Sequence, residues 1–150
     1  MAGNDSSPVA TVERLVRATN EHDIERVVAC FAQDYALEAP AHPQRSFRGN
    51  AQVRRNWTQI FAAVPDISTR VLRSAVDGDT VWTEWEMSGT RRDGGAHLMR
   101  GVFIFGIADG KVHWGRMFLE PVEESGAGID AALRGQLAGS GGAGSPGGAR

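Results

Sequence analysis

The sequence predicts an α+β fold in which three N-terminal helices pack against an antiparallel sheet. One short strand, one longer strand and a three-strand meander make up the predicted sheet. The meander covers residues 79–123, where three strand-like segments are separated by the turn over residues 92–95 and by Asp109-Gly110. Asp-Gly and Gly-Gly between apolar runs are strong hairpin signals. Apolar residues before position 65 recur at helical spacing instead. Both faces of the meander are also apolar, which a half-solvated sheet does not need.

The chain divides into three parts. We expect residues 1–8 to be a disordered leader, residues 9–124 to form one domain, and residues 125–150 to be a C-terminal extension. A short helix is predicted over residues 129–137, and the Gly-rich tail after it cannot bury enough apolar surface to fold.

Two helices open the domain and form a hairpin. Pro8 and Thr11 indicate the start of the first helix, and residues 20–23 end it. Asp23 is a suitable cap for the second helix, whose apolar positions run from Ile24 to Phe31.

A short extended segment over residues 34–39 follows and ends in a loop that contains two prolines. Asn50 is a plausible cap for a third helix over residues 50–64. A strand over residues 67–76 then leads into the meander.

Composition excludes several functional classes. The 150 residues suit one domain, and the net charge of -2 gives no basic surface for nucleic acid. Cys30 is the single cysteine, and no apolar run approaches the roughly 20 residues of a membrane span. We therefore expect a cytoplasmic protein with neither a nucleic acid nor a membrane as partner. The histidines and Cys30 show no metal-ligand spacing, and neither a phosphate-binding loop nor a nucleophile elbow is visible, so no metal or cofactor is predicted.

Alternation along the meander separates two faces. One face is predicted to line a pocket together with residues of the helices, and flat aromatic walls would suit a planar or polycyclic ligand. The predicted ligand-binding residues are Leu15, Trp57, Phe61, Thr83, Trp85, Met87, Met99, Gly101, Phe103, Met117 and Leu119.

Three residues are candidates for catalysis. His97 and His113 have the parity of the pocket face, and histidine can transfer protons at neutral pH. Tyr35 is a candidate hydrogen-bond donor. The competing interpretation is that both histidines are solvated and that Tyr35 is a core aromatic residue.

The opposite face combines aromatic residues with charges of both signs. Such a composition is typical of interface hot spots and of cross-strand ion pairs, so we expect a homodimer. The predicted interface residues are Trp82, Glu84, Arg100, Trp114, Arg116 and Phe118. A bulge at Gly101 would instead turn Arg100 towards the pocket as an anion donor.

The order of elements and several short motifs resemble the nuclear transport factor two-like superfamily, and SnoaL-like and ketosteroid isomerase-like proteins in particular. The motifs are residues 12–23 with their Asn-x-x-Asp exit, Phe31-Ala32-Gln33-Asp34, Glu38-Ala39-Pro40, Phe47-Arg48-Gly49, Pro65-Asp66, Gly78-Asp79 and Asp109-Gly110-Lys111. The resemblance covers roughly residues 9–123. It implies a cone-shaped sheet around a pocket that the helices close, and often a dimer through the outer face.

The resemblance also implies that this chain lacks the catalytic residues of some enzymes of the superfamily. Leu15, Ala39 and Gly101 stand where ketosteroid isomerases carry a tyrosine and two aspartates, and Met117 stands where limonene-type epoxide hydrolases carry the water-activating aspartate. SnoaL-type cyclases use a histidine and a carboxylate, whereas Glu120 here has the parity of the outer face.

Two functions therefore remain. The first is a cofactor-independent enzyme that cyclises, isomerises or dehydrates a polyketide-like or other apolar carbonyl compound. The second is a non-catalytic ligand-binding or dimerisation module of the same fold.

Overall fold

Six strands form one curved, unclosed sheet, which confirms the predicted α+β fold. The computed structural model describes residues 5–139. Within this range the strands are β1 (Phe31–Glu38), β2 (Phe47–Arg48), β3 (Ser68–Asp77), β4 (Thr80–Thr90), β5 (Ala96–Ala108) and β6 (Lys111–Pro121). Their order across the sheet is β2-β1-β6-β5-β4-β3. The sheet is mixed, because β1 pairs with β6 in parallel whereas the other neighbouring strands are antiparallel.

The helices within residues 5–139 are α1 (Pro8–Asn20), α2 (Ile24–Ala29), α3 (Asn50–Ala63) and α4 (Ile129–Gly139), with a short 3₁₀ turn at Pro43–Arg45. Ser7 caps α1 by accepting from the backbone N–H of Ala10 at 3.3 Å, so part of the predicted leader is ordered. The rest of that leader, residues 1–4, and the Gly-rich tail from residue 140 onward lie outside the described residues. None of the helices from residue 5 to residue 139 is both long and apolar enough to cross a membrane.

Two local predictions differ from the structure. Phe31 does not end the second helix, because α2 stops at Ala29 and Phe31 begins β1 opposite Val112 of β6. Asn50 is the first residue of α3 rather than its cap. Gly49 precedes the helix with a φ of 91°, a backbone conformation that favours glycine over residues with a Cβ.

Asn20 and Asp23, the Asn-x-x-Asp exit of the first helix, each have a structural role. The Asn20 side chain donates to the carbonyl of Thr69 at 2.9 Å and accepts from the Thr69 N–H at 2.7 Å. Asp23 accepts from the N–H of Arg26 at 3.1 Å and so caps α2. The motif therefore attaches α1 to β3 and starts the next helix.

The two faces of the meander are separated as predicted, except at the start of β6. Opposite Gly106 and Ile107 of β5 the register shifts, so that Val112 pairs with Ile107 and both lie in the core. His113 has no partner in that register. A bulge adds one residue to a strand and interrupts the alternation of its faces, so strand parity does not assign His113 to either face. No register shift occurs at Gly101.

Candidate functional site

A cavity of about 150 Å³ lies between the helices and the inner face of the sheet. It is lined by Leu15, Phe31, Tyr35, Leu37, Phe47, Val53, Asn56, Trp57, Ile60, Trp85, Met87, Phe103, Phe105, Met117 and Leu119. The wall is apolar apart from the phenol of Tyr35, the amide of Asn56 and the two indole N–H groups.

Most of the predicted ligand-binding residues are on this wall, and four are not. Thr83 is fully buried behind it, where its hydroxyl donates to the carbonyl of Phe103 at 2.8 Å and accepts from the indole N–H of Trp85. Trp85 is therefore an apolar wall residue with its one donor already used. Phe61 stacks on His22 with ring centroids 4.8 Å apart.

Met99 and Gly101 are the other two residues outside the cavity wall. Met99 packs against the core. Gly101 allows β5 and β6 to approach closely, because a Cβ there would lie 1.9 Å from the carbonyl oxygen of Phe118. It therefore serves strand packing rather than ligand contact.

Tyr35 is the donor of the cavity. It comes from β1, is buried, and sits edge-on between the rings of Phe31 and Phe47. Its hydroxyl lies over Gly115, where a Cβ would be only 2.5 Å away. Among residues 5–139 the hydroxyl has no hydrogen-bond partner, and burial raises its pKa. Tyr35 therefore stays protonated and can donate to a ligand.

Asn56 supplies a second donor through a short hydrogen-bonded chain on α3. The guanidinium of Arg55 donates to the carbonyl oxygen of Gln52 at 2.6 Å, and the Gln52 amide donates to the Asn56 carbonyl oxygen at 2.7 Å. Because arginine can only donate, it fixes the orientation of both amides. The NH₂ group of Asn56 has no partner among the described residues and is left for the cavity.

Neither predicted histidine base lines the cavity. His97 pairs with Gly89 at the far end of β4 and β5, and His113 lies in the β6 bulge. No aspartate, glutamate, lysine or histidine is among the cavity residues in the part of the chain that the structure describes. The site can polarise an oxygen by donation, but its own wall supplies no group that accepts a proton at neutral pH.

Residues 12–113 match the SnoaL-like domain family. The chain belongs to this family. No curated protein matches the chain. The fold of the SnoaL-like domain is nuclear transport factor two-like, in agreement with the structural neighbours.

Three solved structures illustrate the shared fold. Wild-type IdmH of Streptomyces antibioticus, a candidate polyketide cyclase, is 21% identical with a TM-score of 0.66, covering 75% of this chain and 91% of that chain. An LEH-like epoxide hydrolase of M. tuberculosis is 18% identical with a TM-score of 0.65, covering 75% and 82%. An NTF2-like protein of unknown function from Cytophaga hutchinsonii is 9% identical with a TM-score of 0.60, covering 80% and 95%. At these identities the likeness concerns the fold.

Several cavity residues of this SnoaL-like domain were not predicted from the sequence. They are Phe31, Leu37, Phe47, Val53, Asn56, Ile60 and Phe105. Val53 and Ile60 share the apolar stripe of α3 with Trp57, so helical spacing contained that signal. Phe31 was missed because it was assigned to a helix, and Asn56 because a single polar residue beside a stripe carries no distinct pattern.

The outer face of the SnoaL-like sheet carries a row of paired charges across four strands. Glu86 on β4 accepts from Arg70 on β3 and from Arg100 on β5, each at 2.8 Å. Glu120 follows on β6 and contacts the ring of His42 at 2.6 Å. Arg100 therefore faces outward, as parity predicts, and does not enter the cavity.

Exposed aromatic residues lie beside that row. Trp82, Trp114 and Phe118 are 51%, 39% and 39% exposed.

The other predicted interface charges have partners in the same chain. Arg116 contacts Glu38 at 3.0 Å, and Glu84 lies 3.9 Å from Arg73. The aromatic surface is thus the part of this face that remains unpaired within residues 5–139.

Metal and thiol chemistry have little support in the structure. Within residues 5–139 no group of three or more His, Cys, Asp or Glu side chains is placed to hold a metal ion. Cys30 is buried, and burial raises the pKa of its thiol, so the thiol is a poor nucleophile at neutral pH.

Proposed function

We propose that this SnoaL-like domain is a cofactor-independent small-molecule enzyme that holds an apolar carbonyl compound in the cavity. The observation that carries the proposal is the unpaired hydroxyl of Tyr35 in a largely apolar wall. No fully buried side-chain polar atom of the described residues lacks a partner, so the Tyr35 hydroxyl is accessible, and as a cavity-lining donor it suits a ligand acceptor. The Asn56 amide lines the same cavity and is a second donor for a ligand oxygen.

The size of the cavity restricts the part of the ligand that it encloses. A cavity of about 150 Å³ holds a molecule of roughly the size of benzene. The enclosed part is therefore one ring or a short branched chain, and a polycyclic ligand would have to extend outside.

Cyclisation fits the donors better than isomerisation or dehydration. In ring closure, the enol carbon of a polyketide-like substrate forms a bond to a carbonyl carbon of the same molecule. The carbonyl π pair moves onto its oxygen, and the enol proton ends there. Donors at that oxygen stabilise the developing charge. Isomerisation or dehydration would need a base at the site to remove a carbon-bound proton, and the described wall contains none. Ring closure avoids this need for a 1,3-dicarbonyl substrate, which is already partly enolised in water.

Tyr35→Phe tests the proposal with two probes that differ in one oxygen, acetophenone and ethylbenzene. Binding is followed by the fluorescence of Trp57 and Trp85, which line the cavity. Wild-type protein should prefer the ketone by roughly fivefold, since one net hydrogen bond contributes about 1 kcal/mol. Tyr35→Phe should lose most of that preference without losing ethylbenzene. Equal affinity of the wild type for both probes would overturn the proposal.

The second candidate is a non-catalytic ligand-binding module, which the absence of a general base from the described wall favours. A short diketone that can close a ring separates the two functions. Turnover by the wild type that falls in Tyr35→Phe supports the enzyme, whereas saturable binding with unchanged diketone supports the module.

We also propose that the protein forms a homodimer through the exposed aromatic residues of the outer face. Large exposed aromatic side chains beside arginine are the composition of interface hot spots, and this supports a protein partner at that surface. A second copy is the partner we propose.

A further inference from the structure

A second, larger recess adjoins the cavity, and its lining mixes polar and apolar residues. The recess has a volume of about 420 Å³ and shares Leu37, Phe47, Asn56 and Met117 with the cavity. A ligand that reaches past these four shared residues would have one part in the cavity and one part in the recess. Its outer part would then meet a different chemical environment.

The remaining walls of the recess are Gln44, Arg45, Ser46 and Gln52. Arg45 is the one charged residue among the recess residues that the structure describes. It forms no ion pair with any residue between 5 and 139. A guanidinium without a carboxylate partner, set beside an apolar cavity, is suited to an anionic oxygen group.

The backbone that carries Arg45 is held in place. The N–H of Arg45 donates to the carbonyl of His42 at 2.8 Å, and the N–H of Ser46 donates to Pro43 at 3.1 Å. The Ser46 hydroxyl accepts from the N–H of Ala39 at 3.0 Å, which closes the base of the loop. His42 is itself anchored to Glu120 on β6. Arg45 thus projects from a fixed turn.

We propose that the natural ligand is amphipathic, with its apolar carbonyl end in the cavity and an anionic oxygen group, a carboxylate or phosphate ester, bound by Arg45. This inference rests on the proposed function of the cavity and adds a second subsite to it. It also accounts for a substrate larger than the inner cavity, since the excess would occupy the recess.

The test compares benzoylpropionate and the longer benzoylvalerate with their methyl esters, and with alkyl phosphates that carry the same phenyl ketone. Each is measured against wild-type protein, Arg45→Gln and Arg48→Gln. Arg48 is the matched control because it is exposed on β2 next to Phe47 but lines neither the cavity nor the recess.

Wild-type protein should bind at least one acid roughly fivefold more tightly than its ester, as expected for an exposed ion pair. Arg45→Gln should abolish that preference, whereas Arg48→Gln should keep it. Added salt should reduce it. A preference for the phosphate over the carboxylate would assign the subsite to phosphate esters, and the reverse would assign it to carboxylates.

Two failures can be told apart because acetophenone is measured in parallel. Equal binding of acids, phosphates and esters, with acetophenone still bound, would overturn the anionic subsite alone. Loss of acetophenone binding as well would overturn the cavity proposal and this inference together. A preference that survives in Arg45→Gln would also overturn the subsite.

Discussion

The two faces of the sheet differ in whether their polar groups are paired within the chain. On the outer face the charges are paired, as Arg70, Glu86 and Arg100 show by their contacts of 2.8 Å. On the inner face polar groups are scarce, and the Tyr35 hydroxyl and Asn56 amide have unused hydrogen-bonding capacity among the described residues.

This difference bears on which face suits a protein partner and which suits a small ligand. Charges that are already neutralised by neighbours in the same chain gain little from a new partner, and exposed ion pairs contribute little in any case. What the outer face still offers is apolar area. The inner face offers hydrogen-bond donors instead, because its apolar side chains pack against one another while its donors have no partner among the described residues. This contrast supports the proposals of a protein partner on the outer face and a small hydrogen-bond acceptor on the inner face.

The largest effect is expected from substitutions at two consecutive residues of β6 whose side chains lie on opposite faces. Leu119 lies on the inner face and lines the cavity, whereas Phe118 is 39% exposed on the outer face. Leu119→Asp should lower the free energy of unfolding by about 3–5 kcal/mol, because it buries a carboxylate without a partner. Phe118→Asp should change it by less than about 1 kcal/mol. Urea denaturation measures both.

The same pair should differ in function. Phe118→Asp should keep acetophenone binding and weaken self-association, whereas any folded fraction of Leu119→Asp should lose the ligand. If the two variants are equally destabilised, the assignment of faces on β6 is wrong.

Arg116→Glu gives a smaller effect on the outer face. Arg116 lies on the same face of β6 as its alternate neighbours Trp114 and Phe118. It pairs with Glu38 at 3.0 Å. The reversed charge repels Glu38 and places a carboxylate within the aromatic surface, so the dimer dissociation constant should rise roughly tenfold. Analytical ultracentrifugation measures it, and Arg17→Glu on α1 controls for net charge. A dimer that Arg116→Glu leaves intact would remove this surface from the interface.

Sequence reasoning reached most of the fold because its signals are local. The meander was found from its turns and alternation, and the helices from apolar spacing. The parallel pairing of β1 with β6 was not predictable in this way. It joins segments about 80 residues apart, and the local sequence pattern of neither segment indicates the other as its partner. The bulge beside Gly106 was missed for a related reason. One added residue interrupts parity without changing composition, so alternation alone could not assign a face to His113.

The site was predicted in part. Apolar wall residues such as Trp85 and Met117 follow from alternation, and Tyr35 was singled out as a donor. The orientation of Asn56 depends on a hydrogen-bonded chain through Gln52 to Arg55, and only the folded structure shows that these side chains meet. Polar contacts of this kind are set by rotamers rather than by sequence period.

The smallest effect concerns the acid stability of the charged row. Hydrogen bonds from Arg70 and then Arg100 lower the pKa of Glu86 below its ordinary value of 4.5. A carboxyl whose pKa is lower in the folded state stabilises the fold above its unfolded pKa, and this contribution is lost as the pH falls through the folded value.

Glu86→Gln should therefore be less stable than wild type at neutral pH and should lose less stability on acidification, so that the two converge as the pH falls through the lowered pKa of Glu86. Urea denaturation midpoints over a pH series measure this. Glu84→Gln is the matched control, since Glu84 lies on the same strand and face with its nearest arginine nitrogen 3.9 Å away. Parallel pH profiles for wild type and Glu86→Gln would show that the paired row does not stabilise the fold. The contrast between a satisfied outer face and an unsatisfied inner one would then rest on the cavity alone.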